Sequence, residues 1–353
     1  MKSTKALILL TITVLFTTFL YFLYTKIGKK ENLSTVNKNE KVNINFLSKS
    51  CKDGNMNDCF KLGYYYWTKR NYKKVLELYS ISCQSGILKA CNNLGVLYEK
   101  GYGVKRNYKK AFEFYSEACN KGYMIACSNL GTLYLVGKGV EKDLKKAFEL
   151  YSKSCNKGSM LGCNNLGIIY ENGYGVKKNY KKAFELYLRA CKGDVMEACN
   201  NLGRLYEKGK GTPIDYEKAN EVYSKACESG NMEACNNLGV LHYSGKLGGI
   251  NYREAVEFLT KACNNGIFIA CYNLAVVYDT GYGMKSDIIK AVQLYSKACN
   301  NGILEACNNL GNFYEDGNGV EQNYEKAIEL YLKACNGGLK VGCLNYNRLK
   351  SFR

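Results

Sequence analysis

The sequence has one histidine, one proline and one tryptophan in 353 residues. A lone histidine leaves no partner for a histidine-based metal site or for a mechanism that needs two imidazoles. A lone proline, with 46% apolar residues, argues against a disordered or collagen-like chain. Negative charge is also short: 31 aspartates and glutamates face 50 lysines and arginines, a formal balance of +19. What the chain has in excess is cysteine, 18 residues, and glycine, 35 residues. A high, even cysteine number points to a disulfide framework in an oxidising compartment. Length alone would fit two or three domains.

Lys2 and Lys5 precede an uncharged apolar run from Ala6 to Tyr24. At the rise of a helix that run is about 28 Å long, close to the hydrocarbon thickness of a bilayer. A cleaved signal usually has a shorter apolar region and ends in small residues. Here the run ends Tyr24-Thr25-Lys26-Ile27-Gly28, so residues 1–24 read better as a retained membrane anchor than as a cleaved signal. Lys26, Lys29 and Lys30 on the far side leave flanking charge indecisive. The cysteines decide the orientation: most of the chain is expected on the periplasmic side of the inner membrane, or secreted if the segment is cleaved. Residues 25–41 are polar and read as a linker.

Self-similarity dominates residues 42–353. The cysteines form nine pairs, each eight residues apart: Cys51 with Cys59, Cys83 with Cys91, Cys119 with Cys127, Cys155 with Cys163, Cys191 with Cys199, Cys227 with Cys235, Cys263 with Cys271, Cys299 with Cys307 and Cys335 with Cys343. First members recur every 36 residues from Cys83 onward, and the first step is 32 because the loop after Tyr66-Trp67 is shorter. Each unit reads as two helices. In the B helix, Tyr108, Ala111, Phe112, Tyr115, Ala118 and Cys119 make one apolar face. Asparagine or aspartate stands before every B helix (Asn71, Asn107, Asp143, Asn179, Asp215, Asn251, Asp287, Asn323) as an N-cap. Glycine follows most B helices at the left-handed slot, except that Asp194 occupies it after Cys191. The A helix follows, with a glycine inside it (Gly95, Gly131, Gly167, Gly203, Gly239, Gly311) that costs helix propensity and predicts close approach of a neighbour. The array counts as eight A–B units with a half-unit cap at each end.

The spacing of the cysteines constrains their pairing. On one continuous helix, residues eight apart lie about 12 Å apart, and a disulfide needs its Cα atoms within about 7 Å. The bridge can therefore close only across a helix break, which the glycine after each first cysteine supplies. Pairing between neighbouring units can be drawn, but a stacked array would set those cysteines too far apart. The expected bridges are the nine pairs above, each stapling a B helix to the next A helix.

The pattern Ala-Cys-Asn-Asn-Leu-Gly-x-Leu-Tyr-Glu-x-Gly-x-Gly-Val, followed by Asn/Asp-Tyr-x-Lys-Ala-x-x-x-Tyr-x-x-Ala-Cys, resembles Sel1-like repeats, relatives of the tetratricopeptide class. The paired cysteines at this interval resemble the Helicobacter cysteine-rich protein family. The resemblance implies an all-α, right-handed αα-solenoid with disulfides inside the repeats, outside the cytoplasm. It also implies two functional expectations: an interaction scaffold, as in the wider class, or a β-lactamase or penicillin-binding activity, as members of the cysteine-rich family are labelled.

Residue chemistry favours the scaffold. A serine β-lactamase needs S-x-x-K with S-D-N and K-T-G. The one S-x-x-K is Ser154-Cys155-Asn156-Lys157, and its serine stands where Ala118, Ala190, Ala226, Ala262, Ala298 and Ala334 stand in other units; no S-D-N or K-T-G exists. His242 replaces a repeat tyrosine and reads as a packed ring. Zinc ligands are usually spaced by two to four residues, so no metal is expected at these cysteines, and no cofactor. Catalytic residues therefore stay unassigned. Asparagines two places after the second cysteine (Asn93, Asn129, Asn165, Asn201, Asn237, Asn273, Asn309) could line a groove, though satisfying neighbouring backbone or side chains inside the stack is the plainer role. Lys109, Lys145 and Lys181 stand four residues before Glu113, Glu149 and Glu185, so weak ion pairs are expected there. The expected partner is a protein or peptide on the concave face, with the membrane engaged by the N-terminal segment and the basic surface open to an anionic cell-envelope polymer. No nucleic-acid motif appears, and nucleic acid is not an expected partner.

Overall fold

A computed structural model describes residues 43–281 and 285–351 of the chain. The anchor and linker expectations fall on residues 1–41, outside the described part. Among the described residues no helix is long and apolar enough to cross a membrane.

The described residues form 18 helices and no strands. They are α1 (Ile44–Lys52), α2 (Met56–Thr68), α3 (Tyr72–Gln84), α4 (Leu88–Lys100), α5 (Tyr108–Asn120), α6 (Met124–Val136), α7 (Leu144–Asn156), α8 (Met160–Asn172) and α9 (Tyr180–Lys192). The series continues as α10 (Met196–Lys208), α11 (Tyr216–Glu228), α12 (Met232–Tyr243), α13 (Tyr252–Asn264), α14 (Phe268–Thr280), α15 (Ile288–Asn300), α16 (Leu304–Asp316), α17 (Tyr324–Asn336) and α18 (Lys340–Ser351). Even-numbered helices are A helices and odd-numbered ones are B helices. They fall into two compact units, the first ending at Leu150 and the second starting at Tyr151. Within each unit consecutive helices pack on one another, as α4 does on α5 and α12 on α13. This is an αα-solenoid architecture.

Local chemistry sets the helix ends. Asn107 Oδ1 accepts from the Lys110 amide at 3.0 Å, and Asn179, Asp215 and Asn323 do the same for the amides of Lys182, Lys218 and Lys326. Each cap satisfies a backbone donor that has no partner inside the helix. At the other end of the B helix, Gly122 (φ 97) lets the chain reverse. Asp194 takes the same slot at φ 61, and Lys225 Nζ stands 2.8 Å from its Oδ1. Among the A helices, α4, α6, α8, α10, α14 and α16 end at a left-handed glycine, whereas α12 is capped by Ser244 in ordinary helical geometry, with Gly245 one place later.

The reversals carry the staples. In the first unit Cys51 is bonded to Cys59, Cys83 to Cys91 and Cys119 to Cys127. In the second, Cys155 is bonded to Cys163, Cys191 to Cys199, Cys227 to Cys235, Cys263 to Cys271, Cys299 to Cys307 and Cys335 to Cys343. Their Cα–Cα separations are 4.4–4.7 Å, far shorter than one continuous helix would allow. Each bond ties the end of a B helix to the first turn of the next A helix. Its second cysteine is fully buried in eight of the nine, Cys59, Cys91, Cys127, Cys163, Cys199, Cys235, Cys271 and Cys307, whereas Cys343 in the last helix is half-buried.

Opposite the staples, the core is a tyrosine–glycine contact. Tyr115 is fully buried, and a Cβ placed on Gly95 would stand 2.5 Å from its ring. Gly167 with Tyr187, Gly203 with Tyr223 and Gly311 with Tyr331 repeat the fit. The glycine that weakens helix A is therefore what admits the largest side chain of helix B. In one repeat the glycine is exchanged: Ala275 takes its position and Tyr295 remains buried.

Candidate binding surface

Each of five buried B-helix tyrosines sends its hydroxyl to the end of the A helix before it, 16 residues upstream. Tyr115 Oη donates to Glu99 at 2.7 Å, Tyr187 to Glu171 at 2.7 Å, Tyr223 to Glu207 at 3.2 Å, Tyr295 to Asp279 at 3.1 Å and Tyr331 to Glu315 at 2.6 Å. Burial pushes the phenols of Tyr187, Tyr223, Tyr295 and Tyr331 well above the ordinary tyrosine range, so they stay protonated donors. These carboxylates were not singled out in the sequence. The recurring 16-residue spacing of acid and tyrosine is the signal that marks them.

Cations close most of these chains. Arg204 Nη2 lies 2.6 Å from Glu171 and Lys246 Nζ lies 2.9 Å from Glu207. Arg348 grips Glu315 with both guanidinium nitrogens, at 2.6 and 2.7 Å, and its hydrogen bonds hold the Glu315 carboxyl below the usual range. In the first unit Lys100 lies 3.0 Å from Glu99, and burial lowers the pKa of its ammonium.

Together with the position three residues before each carboxylate, these side chains form the outward face of the A helices. Its composition changes from repeat to repeat. In the first unit it carries Tyr64 and Trp67, then Val96 and Glu99, then Thr132 and Leu135; in the second, Ile168 and Glu171, Arg204 and Glu207, Val240 and Tyr243, Val276 and Asp279, Asn312 and Glu315. Most are half-buried, whereas the cysteines and tyrosines behind them are buried and almost unchanged along the array.

The loop edge, where A helices end and B helices begin, is built from lysine and tyrosine. Lys110 Nζ sits 5.0 Å over the Tyr98 ring, Lys146 5.0 Å over Tyr134, Lys182 5.0 Å over Tyr170 and Lys326 4.4 Å over Tyr314. His242 and Glu254 exchange this pair for another: His242 Nδ1 lies 3.0 Å from a Glu254 carboxylate oxygen, with the imidazole buried beside Phe258. The expected lysine–glutamate pairs one turn apart, such as Lys109 with Glu113, do not form among the described residues, and the neighbouring lysine of each doublet is drawn to the tyrosine ring.

The asparagine ladder runs between repeats. Asn129 Nδ2 donates to Asn92 Oδ1 at 2.8 Å, Asn201 to Asn164 at 3.2 Å, Asn237 to Asn200 at 2.9 Å and Asn273 to Asn236 at 2.9 Å. Asn93 and Asn165 each accept from the preceding asparagine at 3.3 Å, and Asn309 bonds to Tyr272 and Tyr295. These amides hold neighbours together. Ser154 is fully buried against Gly162, where most other repeats carry an alanine pair; a Cβ on Gly162 would stand 2.5 Å from its Oγ. The serine is a matched exchange of volume within the core. Cys83, Cys91 and Glu117 are close enough together to suggest metal ligation, but the two sulfurs are bonded to each other.

A second cation row was also missed in the sequence. Arg189, Lys225 and Lys261 donate to the carbonyls of Cys155, Cys191 and Cys227, 34 residues earlier, at 3.3, 3.2 and 3.2 Å. Each places positive charge at the negative end of the preceding B helix. At the equivalent position of α5 stands Glu117, beside the bridge between Cys83 and Cys91.

The comparisons agree with this architecture. The Sel1 repeat family matches residues 88–123, 125–159, 161–195, 197–231, 233–267, 269–303 and 304–339. A protective antigen of uropathogenic Escherichia coli displaying an SLR fold is 26% identical, with a TM-score of 0.65 over 87% of this chain and 67% of that one. A Sel1 repeat protein from Oxalobacter formigenes is 24% identical, with a TM-score of 0.60 over 87% of this chain and 90% of that one. The Helicobacter pylori cysteine rich protein B is 36% identical over 38% of this chain and 97% of its own, with a TM-score of 0.31. No curated protein matches the chain. Seven matched repeats, each set on the same stapled helix pair, leave one conclusion: the chain belongs to the Sel1 repeat family.

Proposed function

We propose that the chain is a binding scaffold that engages a protein or peptide partner along the A-helix face, in an oxidising compartment outside the cytoplasm. The observation that carries the reading is the contrast between a fixed interior and a variable face. Side chains that touch solvent on the A helices change in size, charge and polarity at every repeat, over a framework of tyrosine, glycine and cystine that barely changes. Packing alone does not call for Arg204, Val240, Val276 and Asn312 at one repeat position; a partner with its own sequence of side chains does. Nine disulfides support the compartment, since thiols are kept reduced in a mesophilic cytoplasm.

The β-lactam reading raised by the cysteine-rich resemblance lacks a nucleophile at its one sequence candidate, because the Ser154 hydroxyl lies inside the core. The scaffold reading is tested by a photo-crosslinking side chain placed at Val240 or Val276, with Glu221 on an exposed B-helix position as control. A discrete protein adduct from the A-helix positions alone is expected. Adducts of equal yield from Glu221, or none from the A face, would remove the reading.

A further inference from the structure

Several lysines at the loop edge of the first unit stand where the fold itself disfavours them. Lys73 and Lys74 open α3, Lys109 and Lys110 open α5, and Lys145 and Lys146 open α7; all six are exposed. They occupy the first helical turn, where aligned peptide dipoles disfavour a cation by roughly 0.3–1 kcal/mol. In the second unit Lys218 and Lys290 offset this by pairing with the capping aspartates Asp215 and Asp287, at 2.9 and 2.8 Å, whereas Lys181 and Lys182, which open α9 behind the neutral Asn179, continue the pattern of the first unit. In the first unit the caps of α3 and α5 are the neutral Asn71 and Asn107, and among the described residues no carboxylate pairs with Lys73, Lys74, Lys109 or Lys110. The net charge follows: residues 43–150 hold 18 lysines and arginines against 9 acids, residues 151–351 hold 24 against 20.

These cations are also held in place. Lys74 Nζ lies 4.5 Å over the Tyr66 ring, and Lys110 and Lys146 lie 5.0 Å over Tyr98 and Tyr134. An ammonium already ordered on a ring loses less freedom when an anion arrives. At the start of the row stands a half-exposed aromatic cluster. Tyr72 and Tyr102 stack at 5.1 Å, and Trp67 meets both edgewise at 5.7 Å.

We propose that this edge of the first unit docks a linear anionic polysaccharide. The same doublet at the same helical position in successive repeats suits a ligand whose charge recurs along its length, rather than one peptide sequence. Ring faces and phenol hydroxyls at the end of the row suit the C–H faces and hydroxyls of sugars. The surface meets the A-helix face at Trp67 and is otherwise separate from it, and binding to it survives substitution of Val240 or Val276.

The experiment titrates polygalacturonate into the full, oxidised chain and follows the fluorescence of Trp67, the single tryptophan. A saturable change is expected, with affinity falling steeply as salt rises. The variant K73E/K74E/K109E/K110E weakens binding by about tenfold or more, as loss of a focused charge patch should. The variant K192E/K326E/K340E/K350E, equal in charge change but outside the patch, stays within about threefold of the parent. Equal weakening by the two sets means that net charge alone is at work and overturns the proposal. So does equal or tighter binding of poly-L-glutamate or of phosphatidylglycerol vesicles, or no saturable binding of either polygalacturonate or sulfated dextran.

Discussion

The first and second units are made of one repeat, yet they expose different chemistry. Their interiors coincide: a stapled reversal, a capped B helix, and a buried tyrosine hydrogen-bonded to the preceding A helix. On the A face, the first unit presents Tyr64, Trp67 and Val96 beside one Lys100–Glu99 pair, whereas the second presents Arg204–Glu171, Lys246–Glu207 and Arg348–Glu315 chains. At the B-helix starts, the first unit leaves its lysine doublets without acids, whereas the second does so at Lys181 and Lys182 but pairs Lys218 and Lys290 with aspartate. Each repeat touches mainly its neighbours, so stability is close to a sum over local interfaces. Surface residues can then diverge between units at little cost to the framework.

Removing a staple should have the largest effect, and the same one in both units. C83S/C91S in the first unit and C227S/C235S in the second each open a short ring, and loss of either is expected to lower unfolding free energy by about 2–3 kcal/mol. Urea unfolding of the two variants measures it. A marked difference between them would mean that the shared interior is not energetically shared. Next is the tyrosine–glycine contact. Gly95→Ala and Gly203→Ala drive a methyl into a ring already in contact and should cost about 1–3 kcal/mol each. Ala275→Gly tests the exception: Tyr295 has already adapted to a methyl, so this change should destabilise slightly through backbone freedom, by about 1 kcal/mol or less. Stabilisation on thermal melting would show that Ala275 strains the repeat instead.

What the sequence made legible was local. Caps three residues from their donors, the left-handed Asp194 and the cysteine pairs across a break all follow from rules acting within a dozen residues. The interactions between repeats were not visible on any single helix. Asn129 reaches Asn92, Arg189 reaches the Cys155 carbonyl, and Tyr187 reaches Glu171 over separations of 37, 34 and 16 residues. An amphipathic pattern reports which face is buried, not which polar tips meet once it is. The Lys109–Glu113 expectation failed on a different ground. Helical spacing allowed the pair, but Lys109 and Glu113 are both exposed, and a solvated pair gains too little to hold two long side chains together.

A smaller effect distinguishes the carboxylate chains by pH. Glu315 has its pKa lowered by Arg348 in the folded chain, against about 4.3 when unfolded. The folded state therefore binds fewer protons there. The stabilisation is present above the unfolded value and is lost as pH falls through the lowered folded one. Arg348→Met should reduce stability at neutral pH and flatten the acid limb of a stability–pH curve. Parallel acid limbs for parent and variant would mean that Arg348 does not set the carboxylate.

The smallest expected change converts one unit toward the other. Lys261 donates to the Cys227 carbonyl at 3.2 Å, placing a cation at the C-terminal end of α11. In the first unit Glu117 holds the equivalent place beside the Cys83–Cys91 bridge at the end of α3, which sets a carboxylate near the negative end of that helix. Its ion pair with Lys121, 2.8 Å long and well exposed, returns little. Glu117→Lys should therefore stabilise the chain by about 0.3–1 kcal/mol, and Lys261→Glu should destabilise it by a similar amount. Both effects should shrink together as salt screens them. Glu117→Gln separates the two parts of the gain, since it removes the unfavourable charge without supplying a cation. If Gln and Lys stabilise equally, the row of cations contributes only by the absence of acid, and the difference between the units at this position is one misplaced carboxylate.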